Sequence, residues 1–554
     1  MDPKLLFCTV GMSLALVSCF DDKYNLDDID TTSRVTVDDL IIPVNFDDVY
    51  LSNIIKIEDD SDIRIVEIDN KRYYAVVRNG SFSSDDIIIN APVATAPTIN
   101  PQTATLVKVD DRFTIEKMGE DFTFSCDNVD KSIVSIKSVG VEDLKFDVTF
   151  LTPQIVNGKY EHLTMLLPKG MTGTSSAGSY DAASGEWTID ELSVVAGEAE
   201  ATFTATSIDF TANDFSYENP SFEFTSEFSI LGGYLTADNA PESANFEARF
   251  NLSELKATAV SGEIEYEIEG MNIETVSLDN LPNFLQGDRT DITLVNPLIC
   301  MQTSNPVADD KLSFDASIDL TAVRNEEMSA PYSSETFTIG YNKGVDGPYT
   351  FVLSPETPTF VPEPFDNDFT PVKIPGIGSI LAGKGLPDAI DITVNHPRIP
   401  RQSVENFALG REIDGVEGTY ELFAPFALKN STIVYTDTKD GWNDDVEDLT
   451  ITSLVLTALG TNNTPLNAEV SVIPIDVEGN PIPGVTIVPA ILPSDAVNAN
   501  ISLSVTKTDG FTGLDGVRFE ATVTSHDSDV LSPDMTLSFN EVRVKVNGFY
   551  QKKL

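Results

Sequence analysis

Histidine is nearly absent: His162, His396 and His526 are the three in 554 residues. No HExxH pair is present to hold zinc, and no GxSxG serine for a histidine to serve. The usual motifs of metallopeptidases and serine hydrolases are therefore missing. No GxxxxGK[ST] or GxGxxG opens a helix, so no nucleotide-binding loop is signalled and no cofactor is called for. Tryptophan is scarce, with only Trp187 and Trp442. Cysteine is scarce too: Cys8, Cys19, Cys126 and Cys300 show no CxxC spacing, which speaks against a disulfide framework or a zinc site. Cys126 and Cys300 are expected as two separately buried thiols. Basic residues are outnumbered, 35 against 88 acidic, for a formal charge of −53. Such a field repels nucleic acid and anionic membrane surfaces. Its simplest consequence is colloidal solubility, and it suits a body held off an anionic cell surface.

What is present is ordinary globular composition, 41% apolar and 9% aromatic, in a chain long enough for several domains. The dominant pattern is period-two alternation. Leu144, Phe146, Val148 and Phe150 alternate with polar residues, as do Ile264, Tyr266 and Ile268, and Val517, Phe519, Ala521 and Val523. Such runs put one face on a core and the other in water. In Leu537, Phe539, Val542, Val544 and Val546 the phase slips at Asn540-Glu541, where a β-bulge would restore it. Asn79-Gly80 and Asn157-Gly158 each lie between strand-like runs and predict hairpins with type I′ turns. Long amphipathic helical windows are nearly missing. Short helical pieces are expected at Leu281–Leu285 and Gly376–Leu381. The fold class is all-β, built of tandem β-sandwich, immunoglobulin-like domains.

One internal repeat is visible. Asp291–Ile299 aligns with Asp391–Ile399 at an offset of 100, five of nine positions being identical. That offset is the size of one immunoglobulin-like sandwich. The expected organisation is a signal segment at 1–18, an acidic tether at 19–33, and β domains at 34–118, 119–240 and 241–345. A proline-rich linker at 346–375 and a C-terminal β-sandwich region at 376–554, with room for two units, complete it. The proline-dense run 474–493 is expected to form paired edge strands with a turn at Glu478-Gly479-Asn480-Pro481.

The amino terminus reads MDPKLLFCTVGMSLALVSC. Its mostly apolar run, Leu5 to Val17, is shorter than the roughly 20 residues a transmembrane helix needs and fits the h-region of a secretory signal. The closing Leu16-Val17-Ser18-Cys19 resembles the lipobox of bacterial lipoproteins. The resemblance implies that Cys19 is acylated, with palmitate-type chains, and becomes the mature terminus. The following FDDKYNLDDIDTTSR is too polar to bury enough surface to fold and reads as a flexible tether. Asp21-Asp22 resemble the surface-export signal of Bacteroidota lipoproteins, which implies an outer-membrane protein facing outward. The implied partner is thus the membrane itself, through lipid on Cys19.

Among candidate sites, the densest acidic segment is Asp437–Asp448, which offers carboxylates and Asn443 around Gly441 but misses EF-hand spacing. It reads first as a solvated turn, with Trp442 a partly exposed contact for sugar or protein. Tyr73 and Tyr74 must face opposite sides of a strand. Carboxylates are so abundant that no glycosidase-type pair can be nominated. The expectation is a non-catalytic surface lipoprotein working as a binding, adhesive or accessory module for a glycan or a surface protein, with no catalytic or metal residues. The alternative is a pilus or surface-fibre subunit of the lipidated fimbrillin kind, cut after Arg34. A polysaccharide hydrolase or lyase ranks third.

Overall fold

A computed structural model describes residues 32–42, 49–50, 62–68, 71–278, 285, 289–358, 360–366, 368–446, 448–525 and 529–553. The architecture is all-β; the helical pieces among these residues are short, including the α-helix Asn443–Val446 and the 3-10 turn Ile377–Ser379. That turn falls inside the expected Gly376–Leu381 piece, whereas all of Leu281–Leu285 except its last residue lies outside the described residues. Two compact units emerge: Met1–Leu51 with Val434–Thr524 and Met535–Leu554, and Ser52–Ile433 with Ser525–Asp534.

In the first unit one sheet runs in the order Thr32–Ile42, Thr536–Lys553, Leu449–Asn462, Ala496–Phe511, Thr486–Val488. A second contains Gly516–Thr524, Asn467–Ile475 and, at its edge, Ala490–Leu492. Leu454, Leu456, Val470, Val472, Val505, Phe519, Val544 and Val546 form the core. The first described strand pairs antiparallel with the last, Val35 opposite Tyr550. The phase slip near the carboxy terminus is a bulge, as expected. Thr457 faces Arg543 while Leu459 faces Asn540, and Glu541 takes a φ of 52°. The run 474–493 turns after Ile475 as expected, but its strands Thr486–Val488 and Ala490–Leu492 do not pair with each other; they are edges of different sheets, on Ala496–Phe511 and Asn467–Ile475.

The second unit holds an aromatic sandwich between Gln102 and Leu252. One of its layers joins Gln102–Val109, Ser243–Leu252, Ile133–Leu151, Glu198–Asp209 and Met171–Ser175. The other joins Met118–Cys126, Ser221–Thr236, Asn157–Leu166 and Glu186–Val195. Leu144, Phe146, Val148 and Phe150 are all buried between them. Phe228 meets Phe146 and Phe250 edge-on, with centroids 5.7 and 4.7 Å apart, the geometry the ring quadrupoles favour. The same unit contains a seven-stranded sheet ordered Asn272–Ile273, Lys71–Ser83, Glu417–Pro425, Leu298–Thr303, Tyr349–Ser354, Phe369–Lys373, with Ile63–Ile68 also on Lys71–Ser83. The last two of the six pair in parallel, so the proline-dense run contributes strands of its own.

Two expectations about turns are corrected. Asn79-Gly80 is no hairpin: Lys71–Ser83 runs straight through it, with Asn79 opposite Glu421. Gly80 is needed for close approach instead, since a Cβ there would lie 2.3 Å from the Tyr420 hydroxyl. Asn157-Gly158 likewise opens a strand, paired with Val195 and Val194, while the chain reverses just before it. A Cβ on Gly158 would meet the Thr236 carbonyl oxygen at 2.7 Å. Neither glycine has the positive φ that a type I′ turn requires.

The repeat does not mark equivalent places either. Asp391–Ile399 lies within one long strand, Ala389–Ala408, whereas the earlier copy is split between Asp291–Ile292 and Leu298–Thr303, which have different partners. What the copies share is local: Asn296 and His396, each before a proline, have φ of 59° and 48°.

Candidate functional site

Cys19 lies outside the described residues. Arg34 does not: it sits in the Thr32–Ile42 strand opposite Gln551, with its guanidinium 3.5 Å above the Phe549 ring centroid.

Side chains singled out for chemistry are scattered. His162 and His396 are exposed at irregularities in their strands, with φ of 49° and 48°. His526 lies outside the described residues. Cys126 and Cys300 are free and buried apart, as expected. Burial pushes the Cys300 thiol up to about 12, helped by the charge of Glu421, so it is no nucleophile at neutral pH.

Both tryptophans are buried, which corrects the reading of Trp442 as a partly exposed contact. Trp442 packs in the first unit's core at 8% exposure, because the short Asn443–Val446 helix tucks it and Val446 inward. Its backbone N–H donates to the Asp515 carbonyl oxygen at 2.6 Å. The Asp515 carboxylate accepts from Gly441 N at 3.3 Å and Asn443 N at 3.1 Å. The acidic loop is thus held by a residue far along the chain, and Asp437 ion-pairs with Lys439 at 3.3 Å. Among the described residues no three His, Cys, Asp or Glu side chains gather to hold a metal ion. Tyr74 is buried and Tyr73 half-buried, on opposite faces as the alternation demands.

The structure gathers polar groups instead at two clefts of the second unit. One, of about 920 Å³, lies among loops at one end of the aromatic sandwich, where Gln154, Asn157, Asp238 and Asn239 surround Lys108 and Lys159. Both lysines are engaged, Lys108 with Asp111 at 3.2 Å and Lys159 with Glu191 at 2.8 Å.

The other cleft, of about 770 Å³, opens on the seven-stranded sheet. Along one face of that sheet the side chains change character. At one end Ala75, Val77, Leu298, Cys300, Val352 and Phe423 are covered by Val361 and Phe365. Two to four residues on, the same strands present Ser81, Thr419 and Gln302, which line the cleft. Register places Ser81 opposite Thr419, Thr419 opposite Gln302, and Gln302 opposite Thr350, a polar row across four neighbouring strands. Glu421 stands where the two halves meet, opposite Cys300, and burial raises its carboxyl above the usual range while the charge of Arg64 opposes the rise. Glu274, Asp346 and Glu417 also line it, with Phe82 and Pro348 among others, and no described lining residue is basic.

This row was not singled out from sequence. The available signal was Glu417, Thr419 and Glu421 giving way at the same parity to Phe423, a change of polarity along one face within one strand.

No family model matches the chain. No curated protein matches it. A crystal structure of a "putative secreted protein" from Parabacteroides distasonis ATCC 8503 aligns at 15% identity over 52% of this chain and 88% of that one. Its TM-score is 0.37, too low for a shared overall fold. No helix among the described residues is long and apolar enough to cross a membrane.

Proposed function

We propose that this chain is an exported lipoprotein, anchored to the outer membrane by acyl chains on Cys19 and facing outward, whose β-sheet body is a non-catalytic binding module. The observation that carries the reading is the order of features at the amino terminus. A short apolar run ends in Leu16-Val17-Ser18-Cys19, an acidic stretch follows, and the first described strand starts at Thr32. The twelve residues from Phe20 to Thr31 can span at most about 40 Å when fully extended, enough to hold a folded unit clear of lipid head groups. A net charge of −53 supports the same placement, because it opposes adsorption to an anionic surface. The binding role is supported by the two clefts lined with polar side chains, whose volumes fall within the roughly 300–1,000 Å³ of ligand sites.

Protease added to intact cells tests the orientation. The outward-facing protein is digested while a periplasmic marker survives; protection of both contradicts it.

A fibre subunit is the second reading. It is favoured by the place of Thr32–Ile42 at the edge of its sheet, with Val35 and Ile41 exposed. Exchange of that strand between copies would extend the sheet from one molecule to the next. Such assembly appears as an SDS-resistant ladder together with a mature terminus at Val35.

A further inference from the structure

We infer that the polar half of the seven-stranded sheet's face is a binding site for an uncharged, hydroxyl-rich oligosaccharide, which rests on the binding-module reading above and gives it a ligand class. The first support is the unused hydrogen-bonding capacity of the row. The Ser81 and Thr419 hydroxyls make no hydrogen bond with any described residue, and both are exposed to the cleft. The Gln302 side-chain amide donates to Thr350 Oγ1 at 3.4 Å, which leaves its carbonyl oxygen free to accept. Hydroxyls both donate and accept, so a row of them matches a ligand made of hydroxyls better than one made only of donors or of acceptors.

Spacing gives the length. Neighbouring strands lie about 4.8 Å apart, so the three members that line the cleft, Ser81, Thr419 and Gln302, span about 10 Å, room for about two linked pyranose rings, while Thr350 is buried behind the Gln302 amide.

The walls are braced before any ligand arrives. On one side Tyr420 donates to the Glu274 carbonyl oxygen at 3.2 Å. On the other, Lys343 Nζ bonds the Pro348 carbonyl oxygen at 3.2 Å and pairs with Asp368 at 3.0 Å, while its N–H donates to the Tyr349 hydroxyl at 2.9 Å. Gly347 lets that loop close, since a Cβ there would meet Lys343 Cβ at 2.4 Å. A preformed cleft loses less ordering entropy on binding than one assembled by its ligand. Charge sets the exclusion: Glu274, Asp346 and Glu417 accept from sugar hydroxyls and repel sulfated or uronic chains, no described lining residue is basic, and the nearby Lys343 is already paired with Asp368.

The test uses the purified full chain without its signal segment, titrated in 0.15 M salt with trisaccharides of three kinds: neutral hexoses, uronates, and glucosamine. Binding of a neutral trisaccharide, weakened at least tenfold in the Ser81→Ala/Thr419→Val double variant, supports the site. The Thr103→Val/Thr105→Val control, on an exposed stretch of another strand, is expected to bind as the parent does. The site is overturned if no neutral trisaccharide binds, if only the glucosamine or uronate chain does, or if the double variant binds unchanged. Mass analysis of the sugar afterwards separates the two claims. Cleavage of a bound sugar would end the non-catalytic reading and leave the site standing, whereas absence of binding would remove the site alone.

Discussion

Trp187 buries its whole indole in the aromatic sandwich, and its Nε1–H donates to the Ala177 carbonyl oxygen at 2.8 Å. Truncation leaves both a large cavity and an unpaired carbonyl, so Trp187→Ala is expected to cost about 3–5 kcal/mol, read from the urea midpoint. Asp130 makes the pH-dependent contribution. Its half-burial works to raise its pKa, but bonds from Asn90 N at 2.9 Å, Asn90 Nδ2 at 3.0 Å and Ser132 N at 3.0 Å outweigh it and hold the carboxyl below its usual range. A folded pKa below the unfolded one gives stability that is present above the unfolded carboxylate range, near about 3.9, and lost as pH falls through the folded value. Asp130→Asn is therefore expected to lose about 1 kcal/mol at pH 7, discounted for partial exposure, and the gap to the parent closes in acid. Thermal unfolding from pH 3 to 7 measures this. Alternation made the burial of Phe146 or Phe519 legible in sequence. The grips of Asp130 on Asn90 and of Asp515 on Gly441 were not, because each joins residues 40 or more positions apart.

At the scale of elements, strands were legible, and so was the turn at Glu478–Pro481, but two other reversals were not. The bulge at Asn540-Glu541 could be foreseen because a phase slip leaves a mark in one segment. Asn79-Gly80 and Asn157-Gly158 could not be told from hairpin turns, since close approach to a neighbouring strand and positive φ both call for glycine. Gly80→Ala is expected to destabilise by about 1–3 kcal/mol through overlap with the Tyr420 ring. In a Tyr420→Ala background the same change costs markedly less, a coupling that a double-mutant cycle measures. The first strand carries a prediction of its own. Arg34 is engaged by Phe549 and its strand by the last one, so brief trypsin treatment of the native protein is expected to leave the Arg34–Val35 bond intact. Mass analysis of the digest reads the result; rapid cutting there would show that the strand detaches easily, as strand exchange requires.

On the scale of the whole molecule, what the sequence discloses is concentrated at its ends and in its totals: a lipobox-like segment ending at Cys19, a charge of −53, an all-β habit. What it withholds is long-range. A strand at Thr32–Ile42 paired with one at Thr536–Lys553 leaves no trace in any local window, and of a polar row assembled from Ser81, Gln302, Thr350 and Thr419 only the polarity change within Glu417–Pro425 is local. The claim on which the proposed function depends is the anchor, and mass spectrometry of the native protein's amino-terminal peptide tests it most directly. An acylated Cys19 as the first residue is the expected result. An unmodified terminus at Cys19, or a terminus at Val35 or any other position, would contradict the account.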